Sequence, residues 1–308
     1  MATTQARLTT AVKADMLRPP RSLWTDAWYQ FRRHKLAMAG LAVLSFLILA
    51  TVVGPYLWHT RIDALDYSIS LQGPSSEHPF GTDDLGRDLF ARALWGGRVS
   101  IAVGLSAVFI AITLGTLVGA LAGYFNKLDN PLMRVTDLFL SLPILPLLLI
   151  VIYLFRDVLR AAFGPEVGIF IMIVTVIGVL EWMPVARLVR AQFLSLKNKE
   201  FVEAARAIGD PDSAIIWRHI LPNTLSPVLV AATIGVGGAI LTESTLSFLG
   251  LGFPPDVPTW GRLLYDAQNF IEIASYWVFF PGFLIFITVL SINYIGDGLR
   301  DALDPRKT

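Results

Sequence analysis

Long apolar runs alternate with short polar segments along most of the chain. Six runs approach the roughly 20 residues that an α-helix needs to cross a bilayer. They cover residues 36–57, 100–125, 137–155, 167–185, 225–249 and 276–295. This pattern predicts an all-α integral membrane protein with six transmembrane helices, and a composition of 54% hydrophobic and 16% charged residues agrees with that class.

The polar segments divide the predicted protein into four parts. These are an N-terminal tail (1–35), the first transmembrane helix with its following loop (36–98), a five-helix core (99–296) and a C-terminal tail (297–308). The N-terminal tail is basic, and its aromatic residues near the first span predict a segment at the membrane interface. A cleavable signal peptide is the alternative, which the long polar lead and the full-length first span disfavour.

The loop between the first two spans has an apolar helical face and three aspartates in its second half. The face consists of Leu85, Leu89, Ala93 and Leu94, and the aspartates are Asp83, Asp84 and Asp88. We expect a short extracytoplasmic interfacial helix that ends at Gly96–Gly97. The aspartates allow a cation site, but their spacing is not that of a calcium loop, so we favour a capped helix start.

Small residues and prolines mark two of the predicted spans. The second span has three glycines at intervals of four residues: Gly115, Gly119 and Gly123. This interval puts them on one face, where another helix can approach closely. Pro143 and Pro146 predict a kink in the third span, and residues 126–136 and 156–166 are expected to be connections.

A polar stretch between the fourth and fifth spans, residues 191–223, is patterned as helix, break, helix and stop. Residues 191–208 are rich in helix formers, and Gly209 fits the left-handed residue that closes a helix. Asp210 and Pro211 suit the cap and first position of a second helix, which Pro222 is expected to end. The stretch therefore predicts a short, rigid, exposed helix over residues 210–220.

Basic residues are concentrated on one side of this topology. About 18 of the 25 lysines and arginines lie in the two tails, the second-to-third connection and the segment between the fourth and fifth spans, which contains the 191–223 stretch. The positive-inside rule therefore predicts that both termini and the 191–223 stretch are cytoplasmic.

Catalytic signatures are missing from the sequence. The chain has no cysteine, no phosphate-binding loop of the Walker type and no His-Glu-x-x-His pair, and its four histidines are scattered. We therefore predict a non-catalytic chain without a metal site or a cofactor of its own. The formal net charge of +1 gives no indication of nucleic-acid binding.

Two glutamates fall in or beside predicted spans. A carboxylate at the bilayer centre costs at least about 2.5 kcal/mol and usually faces protein or water. Glu243, with Ser247 nearby, either lines a water-filled path through the membrane or forms a structural hydrogen bond. Glu181 lies nearer the membrane edge, and we expect it to pair with Arg187 or Arg190 rather than to face a pore.

The 191–223 stretch resembles the cytoplasmic coupling loop of ABC importer permeases. The matching positions, and two residues that begin the second helix, are Glu203, Ala204, Ala205, Gly209, Asp210, Pro211, Leu221 and Pro222. One position departs from the pattern, because His219 occupies a place that is usually apolar. Three further segments are similar to dipeptide and oligopeptide permeases: residues 80–88, 246–263 and 296–305.

The resemblance implies a multi-pass protein of the bacterial plasma (inner) membrane that imports di- or oligopeptides. A path lined by Glu243 and Ser247 would then be the translocation path, where Glu243 could meet a peptide's amino group. It implies a homologous second permease subunit, two ABC ATPase subunits that bind ATP and Mg²⁺, and an extracytoplasmic peptide-binding protein. The same architecture with nickel, glutathione or an antibacterial peptide as cargo is an alternative. A secondary transporter driven by an ion gradient is a further one, although no internal repeat is evident and the coupling loop would be unexplained.

Overall fold

The computed structural model of the protein describes residues 23–303. Residues 1–22 of the basic N-terminal tail and residues 304–308 of the C-terminal tail therefore lie outside the described residues. Within 23–303 the regular structure is helical, and the elements are α1 (Leu23–Arg33), α2 (Lys35–Leu57), α3 (Leu89–Tyr124), α4 (Asn126–Ser141), α5 (Ile144–Phe163), α6 (Pro165–Leu180), α7 (Met183–Leu196), α8 (Glu200–Ala207), α9 (Asp212–Phe248), α10 (Trp260–Ala267) and α11 (Ser275–Ala302).

Four of these helices, α2, α3, α9 and α11, are long and apolar enough to cross a membrane. Two further crossings arise only if each of two bent pairs is one span: α4 with α5, which meet at 90°, and α6 with α7, which meet at 42°. The described chain thus has four to six candidate spans, and their positions follow the six apolar runs of the sequence. The all-helical membrane class predicted above is confirmed.

The prediction of a separate interfacial helix ending at Gly96–Gly97 is wrong. Helix α3 begins at Leu89, capped by the Asp88 side chain, and continues without a break to Tyr124. The two glycines allow close packing instead of ending the helix. A Cβ atom added to Gly97 would lie 2.3 Å from Thr51 on α2 and 2.7 Å from the Trp260 ring.

The predicted third span is also divided differently. Residues 126–136, expected to be a connection, are helical in α4, and residues 156–163 belong to α5. The predicted kink is a complete break at Leu142–Pro143, because proline has no N–H to continue the hydrogen-bond ladder. Pro146 lies in the first turn of α5, where its missing N–H would have no partner anyway.

Helix α3 is the centre of the fold, where it contacts α7, α9, α6 and α2. The glycine stripe faces α7: a Cβ atom on Gly115, Gly119 or Gly123 would lie within 2.5–2.6 Å of Val185, Ala186 or Phe193. Such distances exclude a side chain without movement of the neighbouring helix. These glycines therefore let the backbones of α3 and α7 come into close contact.

Candidate functional sites

The predicted coupling loop (residues 191–223) contains the end of α7, helix α8 and the first turns of α9. The single helix predicted over 191–208 is wrong, since a turn at residues 197–199 separates α7 from α8. Helix α8 ends as the sequence predicts. Gly209 has a φ of +88°, its N–H donates to Arg206 O (3.0 Å), and the Asp210 N–H donates to Ala205 O (3.1 Å). This pair of bonds is a Schellman motif, which fixes the direction in which the chain leaves α8.

Asp210 does not cap the second helix. The N-cap of α9 is Pro211, without a side-chain bond, and the Asp210 carboxylate instead pairs with His219 at 3.1 Å. The departure of His219 from the apolar family pattern thus has a physical reason. The pair joins the two ends of the exposed segment, and each partner is about one-third exposed.

Pro222 does not end the helix, so the predicted stop is wrong. Residues Ile215–Ile220 form a π-helical turn, in which the Leu221 N–H donates to Ile216 O, and α9 then continues to Phe248. A proline within an α-helix removes one hydrogen bond and its ring clashes with the carbonyl four residues earlier. The wider π turn before Pro222 accommodates this, so the exposed segment and the long apolar helix are one continuous element.

Polar contacts anchor the loop to the end of α3. The Tyr124 hydroxyl donates to Asp212 Oδ1 at 2.5 Å, and Lys197 Nζ donates to Gly123 O and to Asn126 Oδ1. The inner face of the loop is apolar and packs against α7. Its buried residues are Val202, Ala205, Ile215 and Ile220. The loop is therefore a fixed projection of the helix bundle.

The outer face of the loop exposes apolar side chains. Trp217 is 65% exposed, Ile208 is 81% exposed and Phe201 is 41% exposed. Glu203 and Ala204 of the family pattern are exposed beside them, whereas Ala205 is buried. We call Phe201, Ile208 and Trp217 the outer patch.

Glu243 and Ser247 are buried in the bundle and line none of the larger cavities of the described chain. The Glu243 carboxylate accepts hydrogen bonds from Ser247 (2.7 Å), Ser100 on α3 (3.1 Å) and Ser244 (3.4 Å). Neither Glu243 nor Ser247 exposes more than 1% of its surface. These contacts favour the structural alternative for both residues over the predicted place on a translocation path.

Glu181 is not paired with either arginine that the sequence suggested. Arg187 binds Asp137 at 2.6 Å, and Arg190 binds Asp129 through two hydrogen bonds. The Glu181 carboxylate instead accepts a hydrogen bond from the Thr242 hydroxyl on α9 at 3.0 Å. The expected ion pair is wrong, because both arginines face the amphipathic helix α4, which covers the predicted connection 126–136 and the start of the predicted third span.

Both helix breaks open on one cavity of about 720 Å³. The α4–α5 break contributes Leu142 and Ile144, and the α6–α7 break contributes Leu180, Glu181 and Met183, while α9 closes the other side with small residues. A second cavity of about 680 Å³ shares Leu188, Ala231 and Ile234 with the first. Its remaining lining is more polar, with Gln192, Asn223, Ser226 and Arg300.

The aspartate-rich loop before α3 is held by its own side chains. Asp88 caps α3 through the Ala91 N–H, and Asp83 accepts bonds from the Leu85 and Arg87 N–H groups and from Arg87 Nε. The capped helix start predicted above is confirmed. Within residues 23–303, no group of three histidine, aspartate or glutamate side chains is placed to hold a metal ion.

Comparison with known proteins agrees with these features. Residues 111–308 match the family described as binding-protein-dependent transport system inner membrane component, and residues 22–74 match the N-terminal transmembrane domain of oligopeptide transport permease C. The chain is 42% identical to the dipeptide transport system permease protein DppC of Alkalihalophilus pseudofirmus, over 92% of this chain and 90% of that protein.

Two further relatives broaden this picture. The oligopeptide permease OppC of Haemophilus influenzae is 42% identical (93% and 89% covered), and the glutathione permease GsiD of Escherichia coli is 40% identical (96% and 93% covered). A chain of the inward-facing MetNI methionine ABC transporter has the same fold, with a TM-score of 0.55 at 20% identity over 70% of this chain and 96% of that one. The chain therefore belongs to the family of inner membrane components of binding-protein-dependent transport systems.

Proposed function

We propose that this chain is a transmembrane permease subunit of an ATP-driven ABC importer for di- and oligopeptides. The observation that carries the proposal is the predicted coupling loop. Its inner face is fixed to the membrane helices, and its outer patch leaves a tryptophan and an isoleucine in solvent. Exposed large apolar groups of this kind, surrounded by polar residues, mark protein–protein contacts.

In this proposal the chain has six spans, with each bent pair forming one span, and both termini are cytoplasmic. It pairs with a homologous permease and with two ATPase subunits, which alone bind ATP and Mg²⁺. An extracytoplasmic binding protein delivers the cargo. The distribution of basic residues supports this orientation.

Coupling then follows from the continuity of the loop with its helices. The outer patch docks on an ATPase subunit, and closure of the ATPases displaces the loop. Because Pro222 does not interrupt α9, the displacement passes directly into a helix of 37 residues. Helix α7 moves with it, since the two share the buried cluster that contains Val189 and Ile220.

The two neighbouring cavities, which share three lining residues, are this subunit's half of the translocation pathway. Non-helical backbone at membrane depth is tolerated only where protein buries it or where it borders a water-filled space. Two such breaks border the 720 Å³ cavity, and the neighbouring cavity is lined by polar residues near the loop. The second permease subunit would complete the walls.

Peptide is the proposed cargo because two of the relatives described above are named as dipeptide and oligopeptide permeases. Glutathione remains the second candidate, because the relative named as a glutathione permease has a similar identity. Glutathione has peptide bonds of its own, so both cargoes present an ammonium group and carboxylates to the pathway.

Uptake into proteoliposomes that contain the complete complex tests the function. We expect uptake of a labelled peptide to require ATP and the binding protein and to persist when a protonophore is present. Uptake that needs an ion gradient and ignores ATP would favour a secondary transporter and reject the proposal.

The Trp217→Asp variant tests the docking surface, because a carboxylate in an apolar contact leaves a charge without a partner. We expect the variant to lose co-purification of the ATPase subunits and to lose uptake. Ile273→Asp is the matched control, since Ile273 is 75% exposed in the loop between α10 and α11, on the proposed opposite side. Equal retention of the ATPases by both variants would contradict the proposed contact.

A further inference from the structure

The break between α6 and α7 places a carboxylate in the larger cavity. Glu181 follows Leu180, the last residue of α6, and precedes α7, which begins at Met183. At the neighbouring break, Leu142 and Ile144 line the same cavity. The carboxylate thus lies where two interrupted helices and the small residues of α9 meet.

Glu181 is the only ionisable side chain that lines this cavity among the described residues. The surrounding side chains are apolar, including Leu180, Met183 and Ile234. Within residues 23–303, the only hydrogen bond to the Glu181 carboxylate comes from Thr242. Arg187 and Arg190 are instead bound to aspartates of α4. The cavity therefore contains a half-buried carboxylate without a cationic partner.

Burying a carboxylate without a cationic partner costs free energy, so the site is suited to a ligand that carries a positive charge. A carboxylate in apolar surroundings binds a cation most strongly when the cation also donates hydrogen bonds. The terminal ammonium group of a peptide does both, and a cavity of about 720 Å³ has room for a short peptide with its side chains against the apolar walls.

We infer that Glu181 binds the terminal ammonium group of the peptide as it passes through the pathway. Thr242 holds the carboxylate towards α9 through one of its oxygens, and the other oxygen faces the cargo. This inference rests on the proposed function and names the substrate group that the pathway recognises. It replaces Glu243 with Glu181 as the acidic residue that meets the cargo.

Direct binding to the purified complex, without the binding protein, tests the inference. Radiolabelled trialanine and N-acetyl-trialanine are compared by equilibrium dialysis, because acetylation removes only the ammonium group. We expect the wild-type complex to bind trialanine about tenfold more tightly, as a charge-assisted hydrogen bond implies. In Glu181→Gln this preference should disappear, and in Glu181→Asp it should be retained.

Glu166→Gln is the matched control, because Glu166 is an exposed carboxylate at the opposite end of α6 and lies outside the cavity. It should keep the wild-type preference. A preference that survives in Glu181→Gln overturns the inference, as does a wild-type complex that binds the two peptides equally or binds neither. The binding assay is independent of ATP-driven uptake, which tests the proposed function. A failure of this inference is therefore distinguishable from a failure of the proposed function.

Discussion

Single residues decide where the exposed segment begins and how it is held. The role of Gly209 was readable from the sequence, because a glycine after a run of helix formers predicts a left-handed closing residue. The pairing of Asp210 with His219 was not readable, since nine residues and a helix turn separate the two. The local sequence fits Asp210 as a helix cap as well as it fits Asp210 as a partner of His219. Only the folded chain shows that the Asp210 carboxylate turns towards His219.

The backbone requirement at Gly209 can be tested without steric interference. Apart from its chain neighbours, no atom of the described chain lies within 4 Å of a Cβ added at this position, so a Cβ meets no steric clash within the chain and the φ of +88° sets the cost. We expect Gly209→Val to destabilise the junction by about 1–2 kcal/mol and to lower the ratio of peptide uptake to ATP hydrolysis. Gly209→Asn is the control, because asparagine tolerates the left-handed region; a valine variant with wild-type coupling would refute the role of this turn.

Helix positions were predictable at the scale of elements, but several helix boundaries were not. The apolar runs located α2, α3, α9 and α11, whereas the amphipathic helix α4 was missed because its polar face has the composition of a connection. At Pro222 the error is the opposite one, because a helix end was predicted where the helix continues. A proline normally predicts a helix end, and only the hydrogen bonds of the π turn explain why α9 continues.

The close contact between α3 and α7 provides a test at this scale. A Cβ atom at Gly119 would lie 2.5 Å from the backbone oxygen of Ala186, which cannot rotate away. We expect Gly119→Ala to cost about 1–3 kcal/mol and to lower the thermal unfolding midpoint of the complex in detergent. Gly238→Ala on α9 is the control, because nothing lies within 4 Å of its added Cβ and alanine favours a helix. A Gly119 variant as stable as the Gly238 variant would contradict this packing.

For the whole molecule, the sequence predicted the membrane class, but it left two alternatives open for Glu243 and paired Glu181 with the wrong residues. Hydropathy and charge patterns describe each span separately, so they do not show which side chains face a cavity. That depends on helix rotation and on the breaks at Pro143 and Glu181, which only the assembled bundle specifies. Glu243 was attractive as a lone charge, yet three serines from two helices surround it.

Glu243 joins distant parts of the molecule, and its replacement distinguishes a structural role from a pathway role. Ser100 on α3 donates to it and also accepts the N–H of Trp260 on α10, so α3, α9 and α10 meet at one carboxylate. Glu243→Leu would leave three buried hydroxyls without an acceptor, and we expect it to lower the stability of the complex by about 2–3 kcal/mol. Glu243→Gln keeps an acceptor, and the serine hydroxyls can rotate to accept from its NH₂ group, so its thermal midpoint and uptake should stay near wild type. If Glu243→Gln instead abolished uptake while the midpoint stayed unchanged, the carboxylate would belong to the pathway and the structural assignment would fail.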